Sequence, residues 1–275
     1  MIVFDDGSQD ATADLLREYS SNGLIKVIQG NGNGFFGKNS NQLARHAQGQ
    51  WLCFLNNDTV LQPHWLDRLM SYAEMNPSVQ VIGNIQVYDD VETVNHAGIA
   101  FDHQKRPMHL YEGLSVHTPG IQKDRLVQAV TSACCMITSQ CFHSLNGFDE
   151  SYINGFEDVD LCLRAQARHW GVGVCGQSLI VHHGSSTPGR FDAEPQNQDR
   201  FREKWHSLVV SDLAYIADAD GINWPKRSRQ YIILRACSKL PIVREVLRAV
   251  TKCGLGIRFR QLMHQRAIKR AKSSR

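Results

Sequence analysis

The 275-residue sequence contains no apolar run of the ~18 residues that a membrane-spanning helix requires. Its opening residues also lack the basic, apolar and small-residue succession of a secretory leader. Met1 is followed almost at once by Asp5 and Asp6. Both absences point to a cytoplasmic chain. Cysteine is not scarce: it stands at positions 53, 134, 135, 141, 162, 175, 237 and 253, but never as Cys-x-x-Cys. A disulfide-stapled secreted domain would be smaller and denser in cysteine, so reduced thiols are expected. Cys134, Cys135 and Cys141 could form a zinc site only with adjacent ligands, a poor match to the usual spacings. There is no long Pro/Gly/Ser-rich stretch, internal repeat or low-complexity segment. What is present, an apolar fraction of 42%, is enough to build a sizeable core.

Charge divides the chain more sharply than any linker. From Lys226 to Arg275 there are 15 Lys and Arg against one acid, Glu245, a net charge of +14, whereas residues 1–225 carry −11. An acidic body with a basic tail is expected. In the tail, Ile232, Ile233, Leu234, Val243, Leu247, Val250 and Leu255 alternate with basic residues. Helices lying on anionic lipid look like this, and so does a solvated helical cap. An acidic body without a recognisable RNA or DNA motif argues against nucleic acid as a partner.

In the body, apolar runs alternate with amphipathic stretches. Strands are expected at 1–4, 24–28, 51–55, 79–85, 130–137 and 173–181. Helices are expected at 11–20, 39–48, 63–74 and 159–168. Residues 86–127 read as short strands and loops. The alternation predicts an α/β fold with a mostly parallel sheet covered by helices on both faces. In such sheets ligands gather at the carboxyl ends of strands. Three polar clusters fall there: Asp5-Asp6, Asn56-Asn57-Asp58 and His182-His183. A fourth, Glu157-Asp158, opens a helix.

Each cluster alone has an ordinary explanation. Asp5-Asp6-Gly7-Ser8 makes a tight turn, and its carboxylates could equally reach a base or a ribose hydroxyl. Asp58 at a strand tip could close an Asx turn or hold a hard cation bridging diphosphate oxygens. Glu157, Asp158 and Asp160 complement a helix dipole, or one of them faces an acceptor hydroxyl as general base. The His pair beside an acidic cluster suits a metal or a diphosphate. Gly32-x-Gly34-x-x-Gly37 matches a dinucleotide fingerprint on paper, which keeps a nucleotide-binding oxidoreductase open. In either case glycines bring backbone N–H groups to phosphate, and Lys38 adds a cation.

Taken in order, the motifs resemble those of family 2 glycosyltransferases. They are Asp5-Asp6-Gly7-Ser8, Asn39 to Gly49 leading into Phe54-Leu55-Asn56-Asn57-Asp58-Thr59, Gly147-Phe148-Asp149-Glu150, Glu157-Asp158-Val159-Asp160-Leu161 and His182-x-x-Ser185-x-Thr187. The set is most similar to the bacterial rhamnosyltransferase-like branch that builds O-antigens and capsules. Asn197 and Phe201-Arg202-Glu203-Lys204-Trp205 resemble that branch's closing segment. The resemblance covers about residues 1–206, with 207–275 as a basic helical extension.

The resemblance implies a GT-A fold and inverting transfer of a sugar from a nucleotide-diphosphate donor to a saccharide or lipid-linked acceptor. By the resemblance Asp6, with Asp5, would hold the nucleotide; with Gly34 and Lys38 of the glycine loop, Asn39, Asn56 and Asn57 they make up the expected donor-binding set. Asp58, the last residue of a variant D-x-D motif, and His182 are the implied ligands of Mg²⁺ or Mn²⁺. Asp158 matches the catalytic base, with Glu157 beside it. Two departures stand out. Asn56 and Asn57 replace acids, which weakens the expected metal site. The chain also opens at the family's second strand, so part of the nucleotide pocket is expected to be lacking, and an inactive scaffold is the further alternative. A basic tail on such an enzyme is expected to lie on the inner face of the membrane.

Overall fold

The computed structural model describes residues 1–32, 34–184 and 191–223. The chain divides into two compact units, Met1–Asn223 and Trp224–Arg275. The division expected at 206 therefore falls inside the first unit, and the basic tail from Lys226 lies outside the described residues. Residues 207–223 are tied into the first unit: Phe101 N donates to the Asp212 carboxylate at 2.8 Å. The Asp220 carboxylate accepts from Tyr111 Oη and pairs with Arg125 at 3.3 Å.

The chain opens with a parallel pair, β1 (Ile2–Asp5) and β2 (Lys26–Gln29), joined by α1 (Thr12–Ser21). Helix α1 buries no residue, and Leu15 and Tyr19 are exposed on it. Then follow α2 (Phe36–Ala44), β3 (Trp51–Leu55), the short β4 (Thr59–Leu61), α3 (Trp65–Met75) and β5 (Val79–Val87). Strand β3 alternates, with Leu52 and Phe54 turned inward and Cys53 and Leu55 outward. This is the period-two pattern of a strand covered on one face. Strand β5 is buried almost throughout, as befits a central strand with both faces covered.

An excursion through β6 (Val94–His96), β7 (Ile99–Phe101), β8 (Pro107–His109) and β9 (Arg125–Leu126) precedes β10 (Cys134–Thr138). The chain continues with α4 (Ser139–Ser144), α5 (Glu157–Gln166), β11 (Gly171–His182), α6 (Glu194–Trp205) and α7 (Leu213–Ala219). The main sheet has the order β3-β10-β5-β11-β4, with β6 paired to β5 and β9 to β11.

The class is the α/β expected, but the sheet is mixed, where the sequence pattern predicts mostly parallel pairing. Among the described residues only β1–β2 and β5–β11 run parallel; β10 is antiparallel to both of its neighbours. A parallel return needs a crossover, usually helical. The described connection from β5 to β10 carries short strands and no helix, so β10 comes back antiparallel. Helix α3 closes one face of the sheet with Leu69, Tyr72 and Ala73 against Val79, Ile82, Met136 and Cys175. Six of the cysteines are free thiols, five of them buried. Burial pushes the thiols of Cys141 and Cys162 well up, Cys141 to about 12, as for inert core groups.

Candidate active site

At the carboxyl ends of β1 and β2 the chain turns sharply, and a cavity of about 310 Å³ opens there. Phe4, Asp6, Gln29, Gly34, Lys38 and Asn39 are among the residues that line it. The Asp6 carboxylate organises the glycine-rich loop. It accepts from Gly32 N at 3.0 Å, from Gly34 N at 2.9 Å and from the Asn39 amide at 3.1 Å. Burial works against its ionisation, yet these three donors hold its pKa below the ordinary carboxylate value. Two glycines are required by contact. A Cβ on Gly34 would overlap the Asn39 side chain, and one on Gly30 would strike the Asp6 carboxylate and the Phe4 ring. Asn39 Oδ1 is buried with no hydrogen-bond partner among the described residues.

Four of the sequence-derived donor residues, Asp6, Gly34, Lys38 and Asn39, thus line one cavity. Asp5 does not. Its carboxylate accepts from Ser8 N at 3.0 Å inside the turn, and Ser8 lowers its pKa. Asn56 and Asn57 also stand away from the cavity lining, at the end of β3. Phe4, Gln29, Gly30 and Gln42 were not legible as lining residues, because their only signal is position at a strand end or one helical turn beyond Asn39.

Asp58 and His182, the residues expected to hold a metal, lie side by side. Asp58 follows β3 and His182 ends β11; β4, antiparallel to β11, places Thr59 opposite His182. Asp58 Oδ1 lies 3.4 Å from His182 Nε2, and both side chains are partly exposed, at 22% and 13%. Asp58 Oδ1 has no hydrogen bond among the described residues. A carboxylate oxygen and an imidazole nitrogen at this spacing fit adjacent positions around a small divalent cation, whose ligands lie about 2.0–2.1 Å away. No group of three or more His, Cys, Asp or Glu side chains gathers among the described residues. The donor set therefore fits a cation that takes its remaining oxygens from phosphate and water, as Mg²⁺ commonly does. Behind His182, fully buried His96 is held neutral, its pKa well below the imidazole norm through burial and its neighbours His109 and His182. His183 sits apart, its ring 2.5 Å from Asp89. Ser185 and Thr187 lie outside the described residues.

Asp158 lies in the first turn of α5. Its Oδ2 accepts from Ser132 N at 3.2 Å, and its Oδ1 from Val159 N at 2.8 Å. One residue on, Ala133 O accepts from Asn56 N at 2.9 Å. Asp158 is thereby tied to the β3 end that leads to Asp58. Glu157 faces the other way and is buried, with Gly155 N donating to its Oε2 at 2.6 Å. It lies against α2, where a Cβ on Gly37 would be 3.8 Å from the Glu157 side chain. The structure thus separates two residues that the sequence groups: Asp158 is half-open at the site, and Glu157 braces the helix start.

The comparisons with known proteins bear on the family and the fold. The family model for glycosyl transferase family 2 matches residues 1–139. The O-antigen biosynthesis protein RfbC of Myxococcus xanthus is 32% identical over 202 residues, which is 71% of this chain and 16% of that protein. The putative glycosyltransferase EpsH of Bacillus subtilis is 24% identical over 112 residues, covering 40% of this chain and 32% of EpsH. The chain thus spans between about a sixth and a third of these relatives' length. Among solved structures, GalNAc-T7 with UDP, GalNAc and Mn²⁺ superposes with a TM-score of 0.54 at 15% identity, covering 79% of this chain and 49% of that one. S. aureus TarS 1–349 with UDP-GlcNAc gives 0.54 at 14% identity, covering 78% and 59%. These two likenesses show a shared GT-A-type fold.

Proposed function

Because the chain belongs to glycosyl transferase family 2, we propose that it transfers a sugar from a nucleoside-diphosphate donor to a saccharide or lipid-linked acceptor in bacterial polysaccharide synthesis. The reading extends to inversion at the anomeric carbon and to a rhamnosyltransferase-like donor. The observation that carries it is the Asp58–His182 pair at 3.4 Å, with Asp158 held by Ser132 N in the turn before β10. The relatives named above are consistent with it: RfbC by its role in O-antigen synthesis, and the two solved structures by the uridine nucleotides they hold.

In this reading the nucleotide occupies the cavity of Asp6, Gly34, Lys38 and Asn39. Asp6 shapes the loop, while Lys38 and Asn39 line the cavity that would take the ligand. Asp58 and His182 would hold Mg²⁺ or Mn²⁺, which when bound neutralises charge on the departing diphosphate. Asp158 takes the proton of the acceptor hydroxyl as that oxygen forms its bond to the anomeric carbon and the bond to diphosphate breaks. Attack from the face opposite the leaving group inverts the centre. Glu157, buried against α2, holds Gly155 N and so fixes the helix start rather than moving a proton.

The dinucleotide fingerprint is accounted for within the same site. Gly34 frees space for Asn39, and Gly37 lies within α2 against Phe148. Calorimetry with UDP, dTDP and GDP, each with Mn²⁺ or with chelator, tests the donor and metal assignments together. Binding of at least one nucleotide is expected with Mn²⁺ and at least tenfold weaker without it. A lone carboxylate repels a diphosphate that no cation screens. Equal affinity with and without the ion would remove Asp58 and His182 as metal ligands. The reading also includes contact of the basic tail with an anionic membrane surface, where lipid-linked acceptors would be found.

A further inference from the structure

The segment Ile153–Glu157 lies between two helices and carries two residues in left-handed backbone geometry, Asn154 at φ 51° and Phe156 at φ 73°. Phenylalanine rarely adopts that conformation, and it persists only where the surroundings impose it. One side is fixed by α6. Asn197 accepts from Ile153 N at 3.1 Å and donates to Ile153 O at 2.8 Å. The Phe156 ring packs on Phe201 with centroids 5.2 Å apart. The other side is α2. Phe36 N, an end donor that no side chain of its own helix caps, donates to Asn154 Oδ1 at 3.1 Å. Helix α2 presents Lys38, Asn39 and Gln42 to the nucleotide cavity. Two residues after Phe156 comes Asp158.

We propose that Asn154 is a positioning residue that relays occupancy of the nucleotide cavity to Asp158, through its single hydrogen bond to the first turn of α2. The inference rests on the donor-and-base reading above. A ligand held by Lys38 and Asn39 fixes the first turn of α2. Asn154 Oδ1 shares that turn's leading N–H, so the order passes to a segment whose other side α6 already pins. Asp158 sits in the first turn of α5, which that segment aims. The proton acceptor is thereby set when the donor is bound.

The test is hydrogen–deuterium exchange in the full chain, read on peptides covering residues 153–162. The probe is whichever of UDP, dTDP or GDP with Mn²⁺ calorimetry shows to bind. In the wild type, nucleotide is expected to slow exchange there by about fivefold or more, the scale of one hydrogen bond. Asn154→Gly keeps the left-handed backbone without strain and removes the acceptor; it should still bind nucleotide and lose that slowing. Asn154→Asp keeps an acceptor and tolerates the same conformation; it should retain the slowing. A purely structural role would change exchange equally with and without nucleotide. The inference is overturned if Asn154→Gly keeps the full nucleotide-dependent slowing, if both variants lose it, or if wild type binds nucleotide without it. Failure of every nucleotide to bind the wild type would overturn the donor reading itself, so the two outcomes are distinct.

Discussion

At the scale of single residues, the two aspartates of the site should fail differently. Among the described residues, Asp158 accepts from the backbone N–H groups of Ser132 and Val159. Asparagine is close to isosteric with aspartate and its carbonyl can still accept one of these bonds. Asp158→Asn should therefore fold and bind nucleotide nearly as wild type while turning over ~100-fold or more slowly, the usual worth of a general base. Asp58→Asn removes the carboxylate beside His182 and should weaken nucleotide binding in Mn²⁺ as well as rate. Transfer rates and nucleotide affinities measured on both variants separate the roles; near-normal transfer by Asp158→Asn would sink its assignment as base. Gly34 offers a third case. Its added Cβ would overlap Asn39, so Gly34→Ala must displace the amide that donates to Asp6. Nucleotide affinity should fall by ~10-fold or more while the melting temperature moves by only a few degrees, because the loop lies off the main core. A variant with unaltered affinity would show that Asn39 does not contact the ligand.

At the scale of elements, α6 clamps the start of α5, where Asp158 lies. Lys204 Nζ lies 2.7 Å from fully buried Asp160 and 3.0 Å from Asp149, while Trp205 Nε1 donates to Asp160 at 2.8 Å. Arg164 Nε pairs with the other Asp160 oxygen at 2.7 Å. Asp160 is the acid that the sequence shows as the last of a helix-opening cluster; the structure makes it the anchor between α5 and α6. Lys204→Met takes one partner from a buried charge and should destabilise the unit by ~2 kcal/mol, read by urea unfolding. The same variant should alter the acid limb. Burial opposes ionisation of Asp149, but Ser151 and Lys204 bring its pKa down to about 2. A depressed native pKa adds stability that is present above the unfolded value, ~3.9, and is lost as pH falls towards 2. Without Lys204, part of that pH dependence should vanish between about pH 4 and 2. An unchanged slope would mean that Ser151 alone holds the carboxylate. The helix itself was missed as an element by hydrophobic pattern. Its residues are strongly polar and only Asn197, Phe201 and Trp205 are buried, so the closing motif was visible and the clamp was not. By contrast β3, with its clean alternation, stands at 51–55 as the pattern predicts.

At the scale of the whole molecule, the sequence shows strands and helices in the right order but not how β10 returns. Direction depends on the length and content of the connection across residues 86–133, which carries no local signature. The proximity of Asp58 and His182 was legible because each lies at a strand end. The contribution of Ser132 was not, since it acts through its backbone N–H. The remaining large-scale feature is charge: 26 acids and 15 bases up to residue 225, against +14 in Lys226–Arg275. No helix among the described residues is long and apolar enough to cross a membrane. A basic segment gains ~1 kcal/mol for each Lys or Arg near an anionic leaflet, and that attraction decays over a Debye length of ~8–10 Å at ordinary ionic strength. The full chain should therefore co-sediment with vesicles containing phosphatidylserine and be released as salt is raised. A chain ending at Asn223, where the first compact unit closes, should stay in solution at every salt concentration. Vesicles of phosphatidylcholine alone control for apolar insertion, since the interleaved Ile, Leu and Val of the tail would bind them without regard to charge. Equal partition of the full and shortened chains would mean that the tail takes no part in lipid contact, and salt-insensitive binding to both vesicle types would replace electrostatic attraction with burial of those apolar side chains.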